Sequence, residues 1–270
     1  MSERPIITLL TDYGLKDSFV GMMKGVVLGI NPHAKIIDVT HNIERYNIYE
    51  ASQVLGMSYK YFPPSTIHVV VIDPGVGGER RPVLVITENH YFIGPDNGVF
   101  THIYENELSS FFKVIHLTSS HYFLPVTGST FHGRDIFAPV AAWLSKGMDS
   151  QKLGEQISDY IKIPSPKITV SDGNIIHGEV VFLDHYGNAI TNIALEDLSR
   201  LAPAGPGNKF TVTYKDRDVP FLGCYAEAAA RSLSATINGF GRLELFVNRD
   251  NAAGLFNIGI GDRVSARPAN

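Results

Sequence analysis

The sequence predicts an α/β protein of two domains: an N-terminal domain with helices around a parallel sheet, and a C-terminal domain of antiparallel strands. Three observations support this fold class. Over the first 150 residues, apolar segments of strand type alternate with segments of helical spacing. The stretch "IKIPSPKITV" (161–170) then carries two prolines separated by one residue, which form a stiff, extended joint. After this joint the helical pattern fades, and short strand-like segments recur between turn signals.

The elements of the N-terminal domain follow one another in a β-α-β-α-β order, which predicts a parallel sheet flanked by helices. The third strand, "TIHVVVID", is apolar without alternation, so we expect it to be buried on both faces. Prolines mark the ends of the first two helices, at Pro32 and at Pro63 and Pro64. The predicted elements, in order, are strand 5–11, helix 17–30, strand 35–39, helix 47–62, strand 66–73, strands near 82–93, a helix from about Asn97, a strand near 112–117 and a helix from about Asp135 to Lys146.

We place the domain boundary at the proline joint, which gives an N-terminal domain over 1–162 and a C-terminal domain over 168–270. The strand-like segments of the second domain are "NIIHGEVVFLD", "NAITNI", "KFTVTY", "LSATIN", "RLELFV" and "DRVSAR". Their spacing is typical of a small antiparallel barrel or sandwich.

Composition excludes several classes of protein. Of the 270 residues 44% are hydrophobic and 19% charged, as in ordinary soluble globular proteins. The net charge of −4 argues against a general nucleic-acid-binding protein, and no apolar run is long enough for a membrane span. Cys224 is the single cysteine, so neither an intramolecular disulfide nor a multi-cysteine zinc site is possible. The N-terminal stretch lacks the pattern of a signal peptide, and we expect a cytoplasmic protein.

Polar residues stand at the carboxyl ends of the predicted strands, where ligands bind in open α/β sheets. Asp12, Asp38 and Asp73 lie in or directly after the first three strands, and "GPDNG" (94–98) and "TFHGRD" (130–135) follow later. Taken singly, each has a structural explanation, such as a turn, a helix cap or a core histidine. Taken together at one edge of a sheet, they favour a ligand site.

The loop in "VVVIDPGVGGERRPVLVI" (69–86) joins a buried strand to a carboxylate, three glycines and the pair Arg80 and Arg81. It is not the dinucleotide-binding fingerprint, because its glycines are spaced differently and a strand follows, and it lacks the Lys-Ser/Thr of the phosphate loop. Its glycines let backbone approach a ligand closely. Either arginine has the ordinary explanation of a solvated loop charge, and we expect this of one of the two.

Six motifs occur in order along the chain: "TDYGLKDSFVGMMKG", "IIDVTH", "VVIDPGVGG", "GPDNG", "TFHGRDIFAPVAA" and "LDHYGNAITNI". Together they resemble the S-adenosyl-L-methionine (SAM) hydroxide adenosyltransferases, in the superfamily that also contains fluorinases and chlorinases. The resemblance covers essentially the whole chain. It implies an N-terminal α/β domain and a C-terminal β-barrel, assembled as a homotrimer whose ligand lies between the N-terminal domain of one subunit and the C-terminal domain of the next.

The resemblance also implies the site residues. The hydrolase branch of the family has an Asp–Arg–His set, which falls on Asp73, Arg80 and His132. Halogenase members carry an inserted loop between the two strands after the glycine turn, and "VLVITENHYFIG" has no room for one, which favours water as the nucleophile. Asp12 matches the carboxylate that binds the ribose hydroxyls. The other residues implied to bind substrate are Tyr46, Phe131, Gly133, Asp184, Tyr186, Asn188, Gly239, Phe240 and Ala252.

The implied activity is hydrolysis of SAM at the ribose C5′, giving adenosine and L-methionine, with no metal and no cofactor besides SAM as substrate. Arg80 would favour the deprotonated form of the attacking water, and either Asp73 or His132 would accept or orient its proton. Two alternatives remain open. One is a Mg²⁺-dependent phosphohydrolase that uses Asp12, Asp38, Asp73 and Asp135. The other is a non-catalytic module that binds adenosine or SAM.

Overall fold

A computed structural model describes residues 5–107, 109, 111–125, 128–171, 174–201 and 210–269. Contacts divide the chain into two compact units, Met1–Pro164 and Ser165–Asn270, and the division falls within the proline joint. Within the described residues, no helix is both long and apolar enough to cross a membrane.

The first unit contains a sheet of seven described strands in the order β2-β1-β3-β5-β4-β6-β7. Strands β2, β1, β3 and β5 pair in parallel, whereas β4, β6 and β7 pair antiparallel. The sheet is therefore parallel on one side and antiparallel on the other. Its elements are β1 Ile6–Thr11, α1 Phe19–Ile30, β2 Lys35–Thr40, α2 Ile48–Ser58, β3 Thr66–Val71, β4 Pro82–Ile86, β5 His90–Pro95, α3 Thr101–Asn106, β6 Lys113–Leu117, α4 Ala138–Ser145 and β7 Gly154–Ile157.

Strand β3 lies at the centre of this unit, and all six of its residues are buried, as predicted. Alternate side chains point to opposite faces of a strand, so one strand contributes to two cores. Val69 and Val71 pack in the core that includes residues of α1 and α4. Val70 packs with residues of α2 and α3 in the other core. The helices thus cover both faces of the sheet.

The first two helices begin within two residues of the prediction, and the starts of α3 and α4 differ for identifiable reasons. The helix expected from about Asn97 begins at Thr101, because the Asn97 side chain instead donates to the Ile72 carbonyl (2.8 Å) and Gly98 adopts φ +96° in a turn. The helix expected from Asp135 begins as a π-helical turn over Gly133–Phe137, which continues into α4. Strand β7 was not predicted, since its polar sequence "GEQI" lacks a strand pattern.

The second unit is an antiparallel sheet in which β12-β11-β15-β9-β10-β14-β13 are neighbours and β8 pairs with β9. Beyond β12, Pro220 accepts from and Leu222 donates to the backbone of Ala235 on β13, each at 2.8 Å, which nearly closes the sheet into the predicted barrel. The elements are β8 Thr169–Ser171, β9 Ile175–Leu183, β10 Ala189–Ala194, α5 Leu195–Leu201, β11 Phe210–Tyr214, β12 Arg217–Val219, β13 Leu233–Ile237, β14 Arg242–Val247, α6 Ala252–Phe256 and β15 Arg263–Pro268.

Candidate active site

Two aspartates extend from the carboxyl ends of neighbouring strands in the first unit. Strands β1 and β3 pair in parallel with Thr11 opposite Val71. Asp12 follows directly after β1, and Asp73 follows two residues after β3. Parallel strands end at the same edge of a sheet, so the predicted edge does carry both carboxylates.

Asp73, Arg80 and His132 form one continuous contact. Arg80 Nε donates to Asp73 Oδ1 at 2.9 Å, and Arg80 Nη2 pairs with the second carboxylate oxygen, Oδ2. The same Nη2 lies 2.6 Å from Nδ1 of His132. Two side chains that are adjacent to the glycine loop therefore meet a third that lies 52 positions further along the chain.

The guanidinium of Arg80 is buried and incompletely paired. Its side chain is 8% exposed and that of Asp73 is 5% exposed. The Arg80 guanidinium carbon lies 5.6 Å from the centre of the Phe137 ring. Among the described residues, Nη1 of Arg80 is buried without a hydrogen-bond partner. A buried cationic N–H group of this kind is suited to donate to a small polar molecule in the site.

The environment of His132 favours the neutral imidazole. Burial lowers its pKa from the ordinary 6.5, and the positive charge of Arg80 lowers it further, against smaller opposite effects of Asp73 and Asp135. Because Nη2 of Arg80 can only donate, Nδ1 of His132 is the acceptor, and the proton of the neutral ring is on Nε2. His132 thus presents a donor, not a free base, on its other nitrogen.

The glycine loop allows the two loops of the site to touch. Gly77 adopts φ +77°, a region that favours glycine, and a Cβ at this position would lie 2.6 Å from the Ser129 carbonyl oxygen. At Gly133, a Cβ would lie 2.7 Å from the Tyr13 hydroxyl. These two glycines bring the Arg80 loop against the His132 loop, and the His132 loop against the loop that carries Asp12.

Three aromatic rings border the site, and only Phe131 was expected there. Tyr13, Phe19 and Phe131 pack in a triangle with ring centres 5.3–5.7 Å apart. Burial raises the pKa of Tyr13 above its ordinary range, and the charges of Asp12 and Asp73 add to this effect, so its hydroxyl stays protonated. Tyr13 directly follows Asp12 at a strand end, which is the signal that sequence reasoning overlooked.

Tyr46 lies beside Asp12, and its expected contact with substrate stays a prediction. Its backbone N–H donates to Asp12 Oδ2 at 2.9 Å. The residue adopts φ +66°, unusual for a non-glycine residue, and its side chain is exposed. The backbone of Tyr46 thus contacts Asp12, whereas its ring lies at the surface.

Other strand-end residues have separate partners. Arg81 binds Asp96 and Asp159 and does not join Arg80. Asp38 pairs with Lys24, and the buried Asp135 pairs with Arg134. In the part of the chain that the structure describes, no three His, Cys, Asp or Glu side chains are grouped as metal ligands would be. The four aspartates of the Mg²⁺ alternative are therefore not gathered into one cluster.

In the second unit, Asp184, Tyr186 and Asn188 line a cavity of ≈ 610 Å³. Asp184 Oδ1 accepts from the backbone N–H groups of Tyr186 (2.9 Å) and Asn188 (2.8 Å), and Oδ2 accepts from the Asn188 side chain at 2.9 Å. Gly187 in this turn adopts φ +82° and its carbonyl accepts from Ala253 at 2.9 Å. The motif "DHYGN" thus forms a hydrogen-bonded wall of the cavity.

The same cavity has lining residues that were not predicted: Tyr225, Val247, Asn248, Arg249, Asp250 and Asn251. Polar residues after the strand "RLELFV" are the signal that could have found the last four, whereas nothing around Tyr225 marks it. The Tyr225 hydroxyl donates at 2.6 Å to Glu244, which is buried.

Three predicted substrate residues lie outside the lining of this cavity. Gly239 and Phe240 are in the turn between β13 and β14, where the Phe240 N–H donates to Asn238 Oδ1 at 3.0 Å. Ala252 is buried as the first residue of α6, directly after the lining residue Asn251. Their contact with substrate stays a prediction.

Comparison with known proteins gives matches to both halves of the chain. Residues 7–154 match the model of the SAM hydroxide adenosyltransferase N-terminal domain, and residues 178–265 match that of the C-terminal domain. The chain is 35% identical to an (R)-S-adenosyl-L-methionine hydrolase of Methanocaldococcus jannaschii, over 96% of this chain and 94% of the relative. It is 24% identical to a fluorinase of Actinopolyspora mzabensis, over 95% of each chain.

The solved structures include a similar one. The crystal structure of an uncharacterized conserved protein from Thermotoga maritima superposes with a TM-score of 0.89 at 33% sequence identity. The match covers 97% of this chain and 99% of that chain.

Proposed function

Because this chain belongs to the SAM hydroxide adenosyltransferase family, we propose that it hydrolyses S-adenosyl-L-methionine to adenosine and L-methionine. The observation that carries this proposal is the 35% identity to a SAM hydrolase over nearly the full length of both chains. The contact of Asp73, Arg80 and His132 supports it from the side of chemistry.

The reaction is a displacement at the ribose C5′. The oxygen of water or hydroxide forms a bond to C5′ while the C5′–S bond breaks, and its electron pair leaves with sulfur. The sulfonium becomes the neutral thioether of methionine, so the leaving group needs no proton. The proton of the water is released, and the products are adenosine and methionine. The task left to the protein is to supply the nucleophile in an aligned, reactive form.

Arg80 is suited to supply that nucleophile. Its cationic charge favours the deprotonated form of a water bound to it, as a positive neighbour does for any acid. The unpaired, buried Nη1 is the donor that we assign to this water. The Asp73 carboxylate accepts from Nε and Nη2 of Arg80, which fixes the plane of the guanidinium and therefore the direction in which Nη1 points.

We assign different roles to the other two residues. His132 already accepts from Arg80 through Nδ1, so its Nε2–H group would orient the water rather than remove its proton. The lowered pKa of His132 agrees with this role. Asp73 retains carboxylate lone pairs beside the guanidinium and is the better candidate to receive the proton.

The short connection between β4 and β5 supports water over halide. Strand β4 ends at Ile86 and β5 begins at His90, and Thr87 N–H donates to the His90 carbonyl at 3.0 Å to close the turn. Halogenase members carry an inserted loop at this place, and the described connection from Ile86 to His90 has none.

We further propose that the substrate has the (R) configuration at sulfur, as the names of the relatives specify. The sulfonium sulfur is a stereocentre, so one epimer can be destroyed while the other is spared. We also propose a cytoplasmic homotrimer. Its support is the family resemblance and a single, exposed cysteine in this chain.

The test is incubation of the purified protein with each SAM epimer, followed by chromatography for adenosine and methionine. We expect equal amounts of both products from the (R) epimer, no effect of EDTA, and one ¹⁸O atom in adenosine from labelled water. Loss of activity with EDTA would favour the phosphohydrolase alternative. Binding of adenosine without any methionine release over hours would favour the non-catalytic module.

A further inference from the structure

A chain of polar side chains behind Asp12 has no part in the mechanism above. It consists of Lys24 on α1, Asp38 on β2, His41 directly after β2, and Thr11 at the end of β1. Lys24 Nζ lies 2.6 Å from Asp38 Oδ2, and His41 Nε2 lies 3.0 Å from Asp38 Oδ1. His41 Nδ1 lies 2.9 Å from the Thr11 hydroxyl. These contacts therefore connect the motif "IIDVTH" to Thr11, the residue before Asp12.

The donors and acceptors of this chain fit one order. Burial works to raise the pKa of Asp38, but the hydrogen bond from Lys24 and the close contact with His41 outweigh it and lower the pKa, so Asp38 is an anion. The Asp38 carboxylate beside Nε2 of His41 favours the tautomer that carries its proton on Nε2, although the contact between Asp38 and Nε2 is not an aligned hydrogen bond. Nδ1 is then an acceptor for the Thr11 hydroxyl, whose oxygen is left to accept from Tyr13 N–H at 3.3 Å.

This series of polar side chains ends on the turn that carries Asp12. The Gly14 N–H donates to the His41 carbonyl at 2.7 Å, so His41 holds this turn through its backbone as well as its ring. Thr11 is fully buried and the His41 side chain is 3% exposed, so solvent does not compete for these bonds. The hydrogen bonds of Thr11 and His41 thus flank Asp12 on both sides.

We propose that Asp38, His41 and Thr11 are positioning residues that set the Asp12 carboxylate for the ribose hydroxyls of the substrate. This inference rests on the proposed function, because it assigns to Asp12 the ribose contact of the SAM hydroxide adenosyltransferases. Thr11 itself is buried and acts through the turn, and His41 acts through Thr11 and Gly14.

The test compares adenosine with 2′-deoxyadenosine, which lacks one of the two hydroxyls. Calorimetry gives the ratio of their dissociation constants without any need for turnover. We expect wild-type protein to bind adenosine at least about tenfold more tightly, because a hydrogen bond to a charged carboxylate is stronger than one between neutral groups. Thr11→Val removes the hydroxyl and keeps the shape, and we expect the ratio to fall severalfold. Thr11→Ser retains the hydroxyl and restores the ratio.

A double-mutant cycle separates positioning from general stability. If Thr11 acts through Asp12, then Thr11→Val changes nothing further in an Asp12→Ala background. His41→Leu provides a second route to the same result, in case Thr11→Val unfolds. An unchanged ratio in folded Thr11→Val, or an effect that adds to that of Asp12→Ala, overturns the inference alone. Wild-type protein that binds adenosine but releases no methionine from SAM overturns the proposed function and leaves the positioning result standing.

Discussion

Two arginines that are neighbours in the sequence have different environments. Arg80 is 8% exposed and contacts Asp73 and His132. Arg81 is 25% exposed and binds Asp96 together with Asp159. One therefore lies in the proposed active site, and the other ties the loop before β4 to two acids elsewhere in the same unit.

This difference makes a matched pair of variants. Lysine keeps the charge of Arg80 but has a single nitrogen, so Arg80→Lys cannot serve Asp73, His132 and the water together. We expect kcat to fall roughly 10²–10³-fold, as for loss of one preorganised donor in a catalytic site. Steady-state kinetics of the variant and the wild type give this ratio of kcat values. The control, Arg81→Lys, should keep kcat within about twofold with a lower Tm, and an equal loss of kcat in both variants would contradict the assignment.

The protonation of His132 predicts the acid limb of the pH profile. Its folded-state pKa is below the ordinary 6.5, because of burial and of Arg80, so the ring is neutral at pH 7. As pH falls below 6.5, protonation removes the Nδ1 acceptor and places two cations together. We expect kcat/KM, which reports the free enzyme, to be level near neutrality and to fall about tenfold per pH unit below that pKa.

The variant His132→Gln lacks this titration. Its kcat/KM should be lower than that of the wild type at pH 7 and should lose the acid limb. A limb centred above pH 6.5, or one that persists in His132→Gln, would show that another group controls the profile.

Among the elements, the β3–β4 loop determines whether the site forms. Its glycines are needed for two different reasons. Gly77 has a positive φ and closely approaches Ser129. Gly75 has no positive φ, but a Cβ added there would lie 3.2 Å from Cγ of Arg80. The loop is thus shaped at Gly77 by contact with the loop that carries His132.

Gly77→Ala is therefore expected to affect both stability and activity. A Cβ at φ +77° is strained, and the Ser129 carbonyl must move to admit it. We expect a loss of roughly 1–2 kcal/mol in the free energy of unfolding, measured with denaturant, together with a lower kcat. Gly25→Ala is the control, because it lies in α1 with no atom within 4 Å of the added Cβ and should raise stability by about 0.5–1 kcal/mol. A kcat for Gly77→Ala equal to that of the control would argue against the loop contact.

For the whole molecule, the predicted ligand residues are divided between the two units. Asp73, Arg80 and His132 belong to Met1–Pro164, and Asp184 and Asn188 belong to Ser165–Asn270. In the homotrimer that we propose, we expect one site to take the first set from one subunit and the second set from the next. A cyclic trimer of this kind has three equivalent sites.

Mixed oligomers test this arrangement. Asp73→Asn and Asp184→Asn should each be inactive alone, but co-expression should restore about a quarter of wild-type activity. Each proposed site draws residues from two neighbouring subunits, and each of these subunits has an even chance of carrying the intact residue. Differently tagged chains allow purification of the mixed species, and light scattering gives its mass. Mixed oligomers without activity would place both residues of a site in one chain.

Much of the fold and of the proposed catalytic set could be predicted from the sequence. Strand β3 is an unbroken apolar run, and this pattern requires burial on both faces, which the structure has. The motifs around Asp73, Arg80 and His132 identified three residues that do lie in contact. The strands and turns depend on local chemistry, because apolar periodicity sets the strands and glycine and proline set the turns, whereas the three site residues came from the family resemblance.

Other features were decided by tertiary structure. The packing of Tyr13 and Phe19 around Phe131 depends on where the loop near residue 130 returns to the sheet edge. The cavity wall at Tyr225 depends likewise on pairing between strands distant in sequence. Sequence fixes the residue types and their local conformation, whereas contacts across fifty or more positions follow from packing that no local pattern encodes.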